Sequence, residues 1–553
     1  MQSIKSLQLF IILIALLAIP SAALDRQDDA PWDYPSLKIY LDVDKADKTF
    51  GANDNANRPK YIFMRKCIVS LAGYFYRLLS VRKGFNYNVE WKEFVTPLAK
   101  IVVPGGKKDG YHMYVYVDVF DSTTINQNFM THGQYSEQDK DTGRPIAGTL
   151  SINLYKASVS ILNRYHYFGY IAFDFFKLIA FDKKLFTSYR DRYDLSKPVG
   201  IDKVITTGDL EGTTREFLVL DTDVRCDGCK GFKTLTVDYY KAQDSNPIGI
   251  LLEDLADPDD YYKGNSLEAA QFQYDFLGMS EDIPLVLTES SLSLAASTGW
   301  YNFDYCKFQQ AKAPQVVVKD FQKKICSDVT NDMGCSNVGD TGCSFDGTFK
   351  TLCKNTAYSN SCNIKVGTDY CHLPYDRPNA KSYEYFGPNA RCIVGATDGP
   401  VCLKVTSFKK NSTATANDGA ISFEDKNGRK FDFVGQGTSI TVDGQVFSAP
   451  GGTNTNNYIQ RYVLRCPNDC SGNGICMSST NIQSESLVNC FCFYGYTGKG
   501  CEFEDPTFKD LGEPVKFYDL YETLRNAAAM ADSSSFLKRL SVILTIFLLI
   551  SLN

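Results

Sequence analysis

The chain has 553 residues, 18 cysteines and a net charge of -6 from 58 basic and 64 acidic side chains. This length allows several domains and a large core. A hydrophobic content of 44% excludes a disordered chain. The lack of a basic stripe argues against a nucleic-acid partner. Because no two of the four histidines are four residues apart, no multi-histidine metal motif can be identified from local spacing.

The N-terminal segment has the pattern of a secretory signal peptide. Lys5 precedes an apolar run, and small residues follow at Ser21, Ala22 and Ala23. We expect cleavage after Ala23, which removes residues 1–23. A first transmembrane helix is the alternative, but the run is shorter than the about 20 residues that a span needs.

The C-terminal segment has the pattern of a signal for a glycosylphosphatidylinositol (GPI) anchor. An apolar tail from Leu540 to Leu552 follows a basic pair, and small residues lie upstream at Asn526, Ala527 and Ala528. This arrangement predicts lipid attachment at Asn526 and removal of residues 527–553, with a stalk at 502–526. A tail-anchored transmembrane helix is the alternative. In either case the secretory route leads to the outer face of the plasma membrane.

The cysteines divide the chain into two halves. Three of them precede residue 300, nine lie within residues 306–402, and six lie from Cys466 to Cys501. Because the secretory route is oxidising, we expect disulfides in both later clusters. The pairing within the cysteine-rich segment 306–402 stays open. A glycosylation sequon at Asn411 is consistent with this compartment.

The last cysteine cluster resembles an EGF-like module over residues 466–501. Gly495 and Gly498 precede the final cysteine, as they do in such modules. The resemblance implies the disulfides Cys466–Cys476, Cys470–Cys490 and Cys492–Cys501, which would stabilise a segment too small for its own core. EGF-like modules mostly act as spacers and contact surfaces. The stretch directly before the module, Arg461 to Arg465, lacks the acidic residues that calcium-binding members place there, so we expect no calcium in this module.

The middle of the chain predicts both strands and a buried helix. Residues 100–119 alternate as a half-buried strand does, and short strands over 405–446 predict a small β domain within 403–465. Residues 152–181 are apolar nearly all round, which is typical of a buried helix. That helix nevertheless carries Asp174 and Lys177 on one face. Because buried charges persist only when paired, this position is of special interest.

Three phrases resemble the leishmanolysin family of surface zinc metallopeptidases, in the family's order. They are TGRPIAG at 142–148, LSLAASTGWY at 292–301 and YFGPNARC at 385–392. The resemblance implies an α+β, metzincin-like peptidase scaffold over residues 24–305, with the helix of the active site around residues 166–181. A cysteine-rich β segment follows, and often an EGF-like module.

The helix departs from the family's zinc motif, HExxH. Aligned on LFTSYRD at 185–191, this chain has Phe173, Asp174 and Lys177 at the positions of the first ligand, the general base and the second ligand. Gln271 aligns with the third ligand. The resemblance therefore implies that no ligand set for a catalytic metal remains. We predict that Asp174 and Lys177 form a buried ion pair, with Phe173 and Phe176 filling the volume. The alternative is that Lys177 extends to solvent.

These observations predict a cell-surface pseudopeptidase that acts in adhesion or recognition, with no cofactor. Its partner would be an extracellular protein or a cell-surface ligand. The alternative is an active zinc metalloendopeptidase with ligands from dispersed residues such as His112, His166 or His372.

Overall fold

The computed structural model describes a strand-rich α+β chain. The residues it describes are 35–52, 55–82, 88–124, 130–157, 163–190, 196, 204–208, 214–218, 250–251, 289–303, 335–344, 347–355, 363–373, 377, 380–409, 420–434, 439–448, 466–477 and 489–504. The predicted signal peptide and anchor signal, the stalk beyond residue 504, Gln271, Asn411 and Asn526 lie outside these residues.

The helices and strands follow one another in this order. The α-helices in the described part are α1 (Asp44–Phe50), α2 (Arg58–Leu78), α3 (Asn163–Ile179) and α4 (Glu289–Ser297). The strands of the N-terminal half are β1 (Ile39–Asp42), β2 (Leu79–Val81), β3 (Asn88–Trp91), β4 (Phe94–Val95), β5 (Val102–Val103), β6 (Gly106–Asp109), β7 (Met113–Phe120), β8 (Thr131–Gln138), β9 (Pro145–Asn153), β10 (Val204–Gly208), β11 (Thr214–Leu218), β12 (Ile250–Leu251) and β13 (Tyr301–Phe303). The strands of the C-terminal half are β14 (Thr341–Cys343), β15 (Phe349–Asn355), β16 (Asn363–Tyr370), β17 (Ala390–Gly395), β18 (Gly399–Lys409), β19 (Ala420–Glu424), β20 (Lys430–Val434), β21 (Ser439–Val442), β22 (Gln445–Ser448), β23 (Gly474–Met477), β24 (Asn489–Cys492), β25 (Tyr496–Thr497) and β26 (Phe503–Glu504).

A four-stranded mixed sheet organises the N-terminal half. Its strand order is β1-β7-β9-β8. Strands β1, β7 and β9 run parallel, and β8 joins β9 in the antiparallel direction as an edge strand. Inner parallel strands covered on both faces are apolar nearly throughout. Strand β9 fits this rule, since almost all of its residues are buried.

The main hydrophobic core lies between this sheet and helices α2 and α3. Helix α2 begins with Pro59 in its first turn, where no hydrogen bond is lost. Both helices bury side chains nearly all round, as expected for helices enclosed by a large core. The one charged residue of α2 that is buried, Arg65, pairs with Asp47 of α1 at 2.8 Å.

Two hairpins cover the other face of the sheet. Strand β3 pairs with β6, and β4 pairs with β5. The ring of Trp91 stacks on Tyr114 of β7 with the ring centres 3.7 Å apart. Gly106 allows this stack, because a Cβ there would lie 2.8 Å from the Trp91 ring. The sheet is therefore covered on both sides.

The C-terminal half contains the predicted β domain and its disulfides. Six antiparallel strands follow the order β20-β19-β18-β17-β22-β21, with turns at Asp425–Gly428 and Asp443–Gly444. Among the described residues of the cysteine-rich segment, three disulfides are formed: Cys335–Cys353, Cys343–Cys392 and Cys371–Cys402. The boundary expected at residue 403 falls inside β18, so the sheet and the cysteine-rich segment share a strand.

The long apolar stretch 152–181 is not one helix. Ile152 belongs to strand β9, which ends at Asn153, and helix α3 begins at Asn163. The two elements look alike in sequence because both are buried on all sides. Within the described residues, no helix is long and apolar enough to cross a membrane.

Candidate functional site

Helix α3 packs closely against the edge strand β8 at Gly133. A Cβ on Gly133 of β8 would lie 2.2 Å from the carbonyl oxygen of Asp174, and one on Gly148 of β9 would lie 2.7 Å from Leu178. Only glycine permits contact at these distances. The two glycines therefore determine how deeply α3 sits on the sheet.

The carboxylate of Asp174 lies inside this contact. The side chain is 2% exposed, and its Oδ1 accepts a hydrogen bond from the backbone amide of Gly133 at 2.9 Å. A buried carboxylate needs such a donor to offset its lost hydration. The side chain at the predicted general-base position is therefore hydrogen-bonded to the protein's own backbone.

Lys177 lies one turn further along the helix and is 1% exposed. The alternative in which its side chain extends to solvent is therefore wrong. Its Nζ lies 5.7 Å from the centre of the Phe173 ring. Burial lowers the pKa of the Lys177 amine to about 8, while the charges of Asp174 and Asp182 oppose the shift. The two charged residues of the helix are thus electrostatically coupled inside the core.

The aromatic side chains around this pair fill the volume beside it. Phe173 and Phe176 are fully buried in the main core. Phe173 occupies the position that the family resemblance gives to a first metal ligand, and Lys177 occupies the second. A phenyl ring offers no donor atom, and a protonated amine offers none either. The third predicted position, Gln271, lies outside the described residues.

Next to Gly133 lies a row of polar side chains that the sequence does not reveal. The strand register places Asp118 of β7 and His132 of β8 on either side of Ser151 of β9. These are the residue types of a nucleophilic triad, but the serine lies between the acid and the imidazole. In a triad the imidazole lies in the middle. Ser151 is also 1% exposed, so a structural role fits this row better.

Two histidines of the sheet are held neutral. Burial lowers the pKa of His132 to about 3, and the cation of Lys177 adds to the shift. Burial also lowers the pKa of His112 to about 3, and its Nδ1 accepts a hydrogen bond from the Lys38 amide at 3.0 Å. Neither imidazole adopts the charged form near neutral pH.

Several of the sequence motifs that carry the family resemblance contact one another at the C-terminal end of α3. The indole of Trp300 donates to the carbonyl of Thr142 at 2.9 Å, and the hydroxyl of Tyr301 donates to the carbonyl of Ile179 at 3.1 Å. Tyr189 donates to the carbonyl of Ala180 at 2.7 Å. Segments that are far apart in sequence are therefore packed together here.

The C-terminal cysteines form the disulfide bonds of a small module. Disulfides join Cys470 to Cys490 and Cys492 to Cys501, as the EGF-like resemblance implies. Cys466 is also disulfide-bonded. In the described part of the chain, Cys466, Cys470 and Cys490 are the one group of potential ligands close enough to share a metal ion. Because their thiols are used in disulfides, they do not offer a metal site.

Comparison with known proteins supports this module alone. A family model of a Teneurin-like EGF domain matches residues 466–504. The curated proteins give no match to the chain. The chain therefore contains a disulfide-stapled EGF-like module that follows a mixed, strand-rich α+β part.

We predict that Gly133→Ala destabilises the fold by about 3 kcal/mol, since its Cβ would meet backbone and the helix would have to move. Urea unfolding followed by circular dichroism measures this change. The matched control is Gly342→Ala, also in a strand, whose Cβ would have a contact no closer than 3.4 Å. Equal stability of the two variants would contradict the close packing of α3 on β8.

We also predict that stability falls as the pH drops from about 6.5 towards 3. The unfolded chain binds protons at His112 and His132 in this range, whereas the folded chain does not. Each histidine contributes a slope of about 1.4 kcal/mol per pH unit. His132→Gln should reduce the slope by that amount, measured as the free energy of unfolding at several pH values. Parallel curves for the two proteins would contradict this assignment.

Proposed function

We propose that this protein is a cell-surface binding protein built on a peptidase scaffold that resembles leishmanolysin and has lost catalysis. The arrangement of α3 under a mixed sheet with an antiparallel edge strand supports the scaffold. The meeting of the TGRPIAG and TGWY phrases, through Trp300 and Thr142, supports it further. The function of the protein would be adhesion, or recognition of an extracellular protein or a cell-surface ligand.

The contact between Asp174 and Gly133 carries this proposal. In the family the equivalent carboxylate activates a water on zinc. Here the carboxylate is buried and accepts the Gly133 amide instead. Phe173 and Lys177 supply no ligand atoms for zinc at their positions. The residues described here therefore do not fit the zinc ion that an active member needs.

The alternative is an active endopeptidase whose zinc ligands are dispersed histidines. The environment of His112 argues against this alternative. The His112 side chain is fully buried on β7's N-terminal side, and its Nδ1 is used by the Lys38 amide. No observation on the described residues favours this alternative.

The disulfides support the proposed placement outside the cell. Five of them have both partners described, and such bonds persist in oxidising compartments. The predicted signal peptide and lipid anchor would supply the route and the attachment to the membrane. An EGF-like module is common among displayed proteins and fits the same placement.

We expect the purified chain, residues 24–526, to show no cleavage of denatured casein, with or without added zinc. The quadruple substitution Phe173→His, Asp174→Glu, Lys177→His and Gln271→His recreates the HExxH motif on α3 together with the third ligand of the family. If the alignment is right, this variant takes up zinc, because three imidazoles are then available to the metal. Elemental analysis after exchange into metal-free buffer measures the uptake.

Asp174→Glu alone is the matched control, since it restores the acid without any ligand. It should take up no zinc. Cleavage by the unmodified chain that a chelator abolishes would overturn the proposal. The absence of zinc from a folded quadruple variant would overturn the alignment with the family.

A further inference from the structure

The EGF-like module contributes aromatic side chains to the core of the N-terminal half. Phe491 lies between Cys490 and Cys492, whose disulfides lead to Cys470 and Cys501. Phe491 and the nearby Phe493 are 1% and 4% exposed, and both belong to the main hydrophobic core. The disulfides thus fix the backbone that carries these rings.

The module contacts one stripe of helix α2. Ser70 accepts a hydrogen bond from the Tyr494 amide at 2.7 Å. The ring of Tyr74 meets Phe491 edge-on at 5.3 Å, and the guanidinium of Arg77 lies 5.2 Å from the same ring. Positions 70, 74 and 77 share one helix face. The contact is therefore continuous along about two turns of α2.

The same module reaches helix α3. Phe493 stacks on Phe168 with the ring centres 4.8 Å apart. Phe168 also meets Tyr74 of α2, at 6.4 Å. The rings of the module therefore bridge the two helices. Phe168 lies less than two turns before Asp174 on α3.

A charged contact joins the module to the six-stranded sheet. Both side-chain nitrogens at the end of Arg391 donate to the carboxylate of Asp469, and the amide of Asn389 donates to it at 2.9 Å. Arg391 belongs to β17 and is 2% exposed. A bidentate ion pair of this kind has a defined geometry. The module is thus attached on two sides.

We propose that the EGF-like module is a disulfide-held strap that fixes helix α3 in place and joins it to the six-stranded sheet. This role differs from that of a spacer, which needs no contact with its neighbours. It does not depend on the proposed function, because the contacts act on the fold alone. The strap contacts the N-terminal half of α3 at Phe168. The segment that contains Trp300 and Tyr301 contacts the C-terminal end of the helix.

Hydrogen exchange measured by mass spectrometry on the full chain tests this strap. Phe493→Ser removes the ring that contacts α3. We expect amides of Asn163–Ile179 to exchange at least tenfold faster, with no change in Ala420–Glu424 of the six-stranded sheet. The matched control is Phe503→Ser in the same module. Phe503 is 61% exposed, so its loss should leave α3 unchanged.

A milder variant, Phe493→Leu, covers the case in which Phe493→Ser does not fold. It keeps an apolar side chain but removes the ring stack, and we expect at least threefold faster exchange in α3. Unchanged exchange in α3 would overturn the strap. An equal increase throughout the chain would overturn it as well, because it would indicate general destabilisation.

Discussion

The direct contact between helix α3 and the edge strand β8 is the constraint on which the rest of the N-terminal half depends. Gly133 lets the helix backbone approach the strand, and the Gly133 amide then meets the carboxylate of Asp174. This hydrogen bond allows a charged group to stay buried. Lys177 is enclosed in the same core, where the charge of Asp174 opposes the effect of burial on its pKa.

Elements from the whole chain hold this helix. The EGF-like module packs Phe493 against its first half, and Tyr301 donates to Ile179 at its end. The Arg391–Asp469 pair continues this packing into the six-stranded sheet. The result is one connected framework. Such a framework suits the proposed recognition function, because a preorganised surface loses less conformational freedom on binding.

Some of this arrangement is readable in the sequence. Apolar residues on all sides of α3 indicate a buried helix, and Asp174 with Lys177 stands out against them. The start of α3 is not readable, because β9 is equally apolar. The row that contains Ser151 depends on strand register, which local pattern does not contain. The docking of Phe491 on Tyr74 joins segments more than 400 residues apart. Nine cysteines in one segment allow too many pairings for the sequence alone to choose.

The zinc content of the purified chain, residues 24–526, tests the central claim most directly. Elemental analysis follows exchange into metal-free buffer. With Phe173 and Lys177 at the proposed ligand positions and Asp174 hydrogen-bonded to Gly133, we predict essentially no zinc. About one zinc per chain would contradict it, because a single bound metal would require a ligand set that these residues cannot supply.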